Sequence, residues 1–111
     1  MKRDRRVDPA RRTLEWLTPA LLVLLGLVPA GAGIARVAEL AGDAVVTAAN
    51  ARFVAQPLPV VLHVMAVIPF SLVGAFQFAA GIRRRHRAWH RAAGRVVAGC
   101  GLAAALTGLW M

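Results

Sequence analysis

Residues 53–82 read FVAQPLPVVLHVMAVIPFSLVGAFQFAAGI, and no Asp, Glu, Lys or Arg interrupts them. A helix needs about 20 apolar residues to cross a bilayer core of roughly 30 Å. This stretch meets that length with room for a loop at its start. The next residues, RRRHRAWHRAAGR (83–95), hold six arginines and no acid. An abrupt edge between a charge-free run and a basic block is how a membrane span meets an interface, so the fold class follows from this junction.

The same pattern recurs on both sides. Residues 16–35 and 96–111 also lack Asp, Glu, Lys and Arg. The last run is short, and it reaches spanning length if the helix begins near residue 90 and its arginines snorkel to the interface. The composition agrees: 59% hydrophobic, mean hydropathy +0.60, and yet a net charge of +9. The reading is an all-α polytopic membrane protein, with three transmembrane helices near 16–37, 58–82 and 90–111 in a small bundle. Residues 1–15 are expected to form a basic cytoplasmic tail, and 16–111 one helical membrane domain.

Charge sets the orientation. Residues 1–15 carry six Lys/Arg and residues 83–95 six more, whereas 36–52 carries two basic residues balanced by Glu39 and Asp43. Basic flanks stay in the cytoplasm. The expected location is the bacterial inner (cytoplasmic) membrane, N terminus inside and the end of this chain outside. Trp16 and Trp89 then fall at the inner interface and Trp110 at the outer one, as an aromatic belt requires. Arg83, Arg84, Arg85, Arg87, Arg91 and Arg95 are read as topology and lipid-headgroup residues, so the lipid bilayer is the expected partner and nucleic acid is not. An alternative for the N terminus is a cleaved secretory signal, with the leucine-rich core LLVLLGLV followed by small residues at Ala30–Ala32.

Within the spans three features stand out. On the second helix His63, Phe70 and Gln77 are seven apart and share a face, with Gly74 and Gly81 on a neighbouring line. On the third, Gly94, Ala98, Gly101, Ala105 and Gly108 form a stripe of small residues, which lets membrane helices approach closely. The first helix has a shorter version in Gly26, Ala30 and Gly33. The stripe is read as a packing face within a tight bundle, or as a homo-oligomer contact. A kink is expected at Pro29 and a short interfacial helix within Thr47–Phe53. Cys100, the single cysteine, is read as a small packing residue.

The histidines bear the chemical hypotheses. His63 lies about six residues into its helix, roughly 9 Å deep, where an ionisable side chain is a functional candidate. It could ligate haem or sit beside a quinone, with Gln77 and His90 as further cofactor-binding candidates; against this stands a plain interhelical hydrogen bond. His63 and His90 lie at opposite depths and are not expected to share one iron. His86 and His90 are four apart, but six arginines surround them, and no metal site is assigned. No paired carboxylate, phosphate loop or nucleophile with its base is legible, so an enzyme is the less favoured class.

PLPVVLH (57–63), GAFQF (74–78), RRRHRAWHRAAGR (83–95) and ALTGLWM (105–111) together resemble the bacterial family of predicted membrane proteins called domain of unknown function 2306. The resemblance runs from about Ala38 to the end. It implies that His63, Gln77, Trp89, His90, Arg91 and Gly94 are characteristic positions. It implies no biochemical activity, since none is established for the family. His86 stands where proline or another loop residue is expected. Relatives continue through further helices beyond the Gly-Leu-Trp-Met stretch, so this chain is expected to be the N-terminal half of such a protein, with a C-terminal half as a missing partner.

Overall fold

The computed structural model describes residues 8–111. Five helices follow one another: α1 (Pro9–Ala41), α2 (Ala51–Ala55), α3 (Pro57–Phe76), α4 (Ala80–Arg85) and α5 (Arg87–Trp110). Three of them, α1, α3 and α5, are long and apolar enough to cross a membrane. The described residues hold no strand, so the all-α membrane architecture stands.

The helix ends differ from the hydropathy edges. α1 begins at Pro9 rather than near residue 16, so residues 9–15 of the expected tail are helical, while residues 1–7 lie outside the described residues. The cause is local. Asp8 caps the helix by accepting from the Ala10 N–H at 3.1 Å, and Pro9 occupies the first helical position, where its missing donor costs nothing. With 33 residues α1 is about 50 Å long, well beyond a bilayer core, and its basic first turns project past the apolar part. It runs unbroken through Pro19 and Pro29.

The second span ends at Phe76, not near residue 82. Gln77, Phe78 and Ala79 each donate to the carbonyl three residues back, at 3.1, 3.3 and 3.1 Å. These bonds tighten the last turn, and Ala79 is then extended. The arginine block is not a loop either. Arg83, Arg84 and Arg85 end α4, His86 makes the corner, and Arg87, Arg91 and Arg95 fall one turn apart on α5, all exposed. Arginine is a good helix former, so the helix continues where hydropathy stops. α5 therefore starts at Arg87 rather than at 90.

α3 is the spine. It packs on α1 along one side and on α5 along the other, and α1 and α5 barely meet. The large apolar side chains turn outward: Leu25, Val28, Leu102 and Leu109 are 70, 75, 63 and 86% exposed. In water such a surface would be a liability; in a bilayer it faces lipid, and the helices are held by close packing and hydrogen bonds rather than by the hydrophobic effect.

At the far end a short loop is tied down. Arg36 pairs with Glu39 on the last turns of α1. Asn50, 3% exposed, donates to Glu39 Oε1 at 2.6 Å and to the Val45 carbonyl at 3.1 Å, and accepts from the Thr47 N–H at 2.7 Å. The guanidinium groups of Arg36 and Arg52 lie 5.3 and 4.5 Å from the Phe53 ring centre. The expected interfacial helix forms four residues later than its earliest bound, as α2.

Candidate functional site: the seam between the second and third spans

The polar stripe of α3 and the small stripe of α5 meet face to face. A Cβ placed at Gly94 would lie 3.2 Å from Gln77 Oε1; at Gly101, 2.8 Å from Phe70 Cε2; at Gly108, 3.4 Å from His63 Cε1. Each step of seven forward on α3 is a step of seven back on α5. Gly74 repeats the pattern in reverse, with its Cβ position 3.6 Å from Val97 Cγ1. The α1–α3 seam has the same antiparallel rhythm: Gly26 faces Ser71 at 3.2 Å and Gly33 faces Val64 at 3.0 Å. Seven-residue repeats keep one line of contact along two helices, and glycine opposite each bulky residue lets the backbones close up.

Around this line Ala93, Ala104 and Thr107 are buried, and Val97 and Cys100 are half-buried. Ala98 and Ala105, which the spacing put on the same stripe, are exposed. The packed line is narrower than the stripe. The Gly94–Gly101–Gly108 seam is filled by α3 of the same chain, so a second copy cannot use it without displacing α3.

His63 is anchored across the seam. Its Nδ1 lies 2.9 Å from the Ala104 carbonyl oxygen and 3.1 Å from Thr107 Oγ1. A carbonyl only accepts, so Nδ1 carries the proton, and in the neutral ring Nε2 holds the lone pair. Thr107 in turn donates to the Ala103 carbonyl at 2.7 Å and reaches Ala104 O at 3.1 Å. Nε2 of His63 makes no hydrogen bond among the described residues, and it is not sealed off.

Gln77 and His90 sit toward the other end of the seam, and there two polar atoms are orphaned. Gln77 Nε2 and His90 Nδ1 are buried without a partner. An unmet buried group costs about 1–3 kcal/mol. His63 lies level with Gly108, and His90 is 18 residues away on α5, about 27 Å. The two histidines share no site. His86 stands at the N-cap position of α5 without a side-chain capping bond, and His90 donates its backbone N–H to the His86 carbonyl at 2.9 Å. Among the described residues no three of His, Cys, Asp and Glu come together as metal ligands.

At the α4 end, Arg84 Nη2 reaches both carboxylate oxygens of Glu15 at 3.2 Å. That contact puts the first turns of α1, α4 and the start of α5 at one end of the molecule. Trp16 and Trp89 belong to that end, and Trp110 to the end that holds Arg52 and Phe53.

Sequence reasoning missed Asn50. Its signal was faint: an asparagine just before a short helix, at the N-cap position such residues favour. It also missed that α3's large side chains fill α5's gaps, because a stripe does not name its partner.

No curated protein and no solved structure is similar to this chain at a significant level. The resemblance read from Ala38 is matched over a shorter span that holds most of α3, all of α4 and α5, and every residue of the seam between them. From residue 60 to 111, just under half of its length, the chain matches the family described as "Predicted membrane protein (DUF2306)".

Proposed function

We propose that this chain is a structural module of the bacterial cytoplasmic membrane, in which His63 ties α5 to α3 and the glycine seam sets their distance. The observation that carries this reading is the bond from His63 Nδ1 into the backbone of α5 at Ala104. A polar side chain satisfied across two helices is a packing device, worth about 0.6 kcal/mol on average in membranes and at most about 1.7. In this reading the α4 end is cytoplasmic. The support is charge: that end gathers Arg11, Arg12, Arg83–Arg85, Arg87, Arg91 and Arg95, while Arg36 and Arg52 at the other are offset by Glu39 and Asp43.

A second reading is favoured by one detail. Nδ1 held by a backbone carbonyl is the arrangement that presents Nε2 as a ligand or base. Through it His63 would bind haem iron, or accept the hydroxyl proton of a quinol. A second histidine ligand would come from another chain or from sequence outside these 111 residues.

One experiment separates the two. The purified protein and His63→Ala are compared by oxidised-minus-reduced absorption and by unfolding in mixed micelles. The structural reading expects a flat spectrum and a loss of about 0.6–1.7 kcal/mol in His63→Ala. A haem band that vanishes in the variant, or a variant as stable as the parent, would contradict it.

A further inference from the structure

The α1 side of the molecule holds two adjoining cavities that share Trp16. One, of about 230 Å³, is lined by Arg12, Glu15, Trp16, Arg84 and Arg85. The other, of about 420 Å³, is lined by Trp16, Pro19, Ala20, Val23, Leu24 and Phe76, and its wall is wholly apolar. The first lies at the interface end of the span. The second runs from it along the α1–α3 groove toward the bilayer interior.

We infer that the two cavities form one binding site for an anionic glycerophospholipid of the leaflet that faces α4, with its phosphate among Arg12, Arg84 and Arg85 and an acyl chain along Ala20, Val23 and Phe76. Charge selects the head. Three guanidinium groups face one carboxylate, so the cleft is left with a net +2. Glu15 holds Arg84 through both oxygens, which orients that cleft while Arg12 and Arg85 make no ion pair among the described residues. Arginine binds phosphate oxygens in a bidentate fork. Trp16, 49% exposed, stands where head and chain join, the level that tryptophan prefers in a bilayer. A water-soluble anion would fit the cleft and leave the groove empty; a zwitterionic lipid would fill the groove without the net charge. Only an anionic phospholipid answers both. Lipid here bridges α1 and α4, whose one ion pair among the described residues is that of Arg84 with Glu15. The site stands apart from His63 and is independent of whether that residue is structural or redox.

The test uses the full chain with Trp89→Phe and Trp110→Phe, leaving Trp16 as the fluorophore. Its quenching is measured in phosphatidylcholine vesicles containing a small fraction of brominated phosphatidylglycerol or of brominated phosphatidylcholine. The expected result is phosphatidylglycerol binding about tenfold tighter, the scale of two net charges near a membrane surface after partial screening. Arg12→Gln with Arg85→Gln should bring the two lipids level, and Ala20→Phe, which fills the groove and leaves the charges, should also remove the preference. Inorganic phosphate in the buffer should not compete. Equal quenching by the two lipids, a preference that survives either variant, or displacement by inorganic phosphate would each overturn the proposal. A circular dichroism spectrum confirms that each variant keeps its helices.

Discussion

Gly101→Ala probes the α3–α5 register at its tightest point. The added methyl would lie 2.8 Å from Phe70 Cε2 and 3.1 Å from Cδ2. Carbon atoms rest about 3.5–4.0 Å apart, so the ring must retreat by about 0.7 Å or the helices must part. Phe70 is 42% exposed, so its outer edge has room, and the helices move less than in a sealed core. Overpacking of this kind costs about 1–3 kcal/mol, and the exposed ring places this case in the lower half. Alanine also favours helix over glycine by about 1 kcal/mol, which would mask part of the loss. Gly99→Ala removes that ambiguity, because nothing lies within 4 Å of its Cβ position. The difference between the two variants isolates the clash. Unfolding in mixed micelles should find Gly101→Ala less stable than Gly99→Ala by about 1–2 kcal/mol. In a Phe70→Ala background the difference should fall below about 0.5 kcal/mol, the limit for uncoupled sites. Equal stabilities, or a difference that persists without the ring, would refute the register.

The α1–α3 seam makes a parallel case. Gly33→Ala puts a methyl 3.0 Å from Val64 Cγ2, whereas Gly31→Ala meets nothing within 4 Å, so only the first should lower the unfolding midpoint, and Val64→Ala should restore it. Asn50→Ala leaves Glu39 Oε1, the Val45 carbonyl and the Thr47 N–H without their partner. It should loosen the 42–50 loop by about 1–3 kcal/mol, read as faster protease nicking there with α1 and α3 intact. Unchanged nicking would show that Asn50 does not hold the loop.

Much of the fold was legible because charge and hydropathy act at long range along a chain. The three charge-free runs mark the three spans, and the stripes His63–Phe70–Gln77 and Gly94–Gly101–Gly108 are visible as sevens. Helix ends were less legible, since they depend on caps and turn geometry rather than polarity. Asp8 and Pro9 start α1 inside a charged block, and the tight turn at Gln77–Ala79 ends α3 inside an apolar one. The pairing of stripes was not legible either. A spacing of four and three describes a band on a helix surface, and only the partner decides that Ala104 and Thr107 are inside it while Ala98 and Ala105 are out. For the candidate site, His63 stood out as a polar residue at depth, but its acceptor, a backbone carbonyl on α5, has no signature in a sequence.

The central claim is that α3 lies between α1 and α5 in this one antiparallel register. Disulfide formation in native membranes, in a Cys100→Ala background, tests it most directly. A cysteine Cβ at residue 26 would lie 3.2 Å from that of residue 71, just under the roughly 3.5–4.5 Å that disulfide Cβ atoms keep, and one at residue 74 would lie 3.6 Å from Val97 Cγ1, whose place a cysteine sulfur at residue 97 takes. The pairs Gly26→Cys/Ser71→Cys and Gly74→Cys/Val97→Cys should crosslink within a single chain. The control pairs Gly31→Cys/Ser71→Cys and Gly74→Cys/Gly99→Cys should not. Crosslinks that form only between chains, or controls that react as readily as the matched pairs, would contradict the architecture.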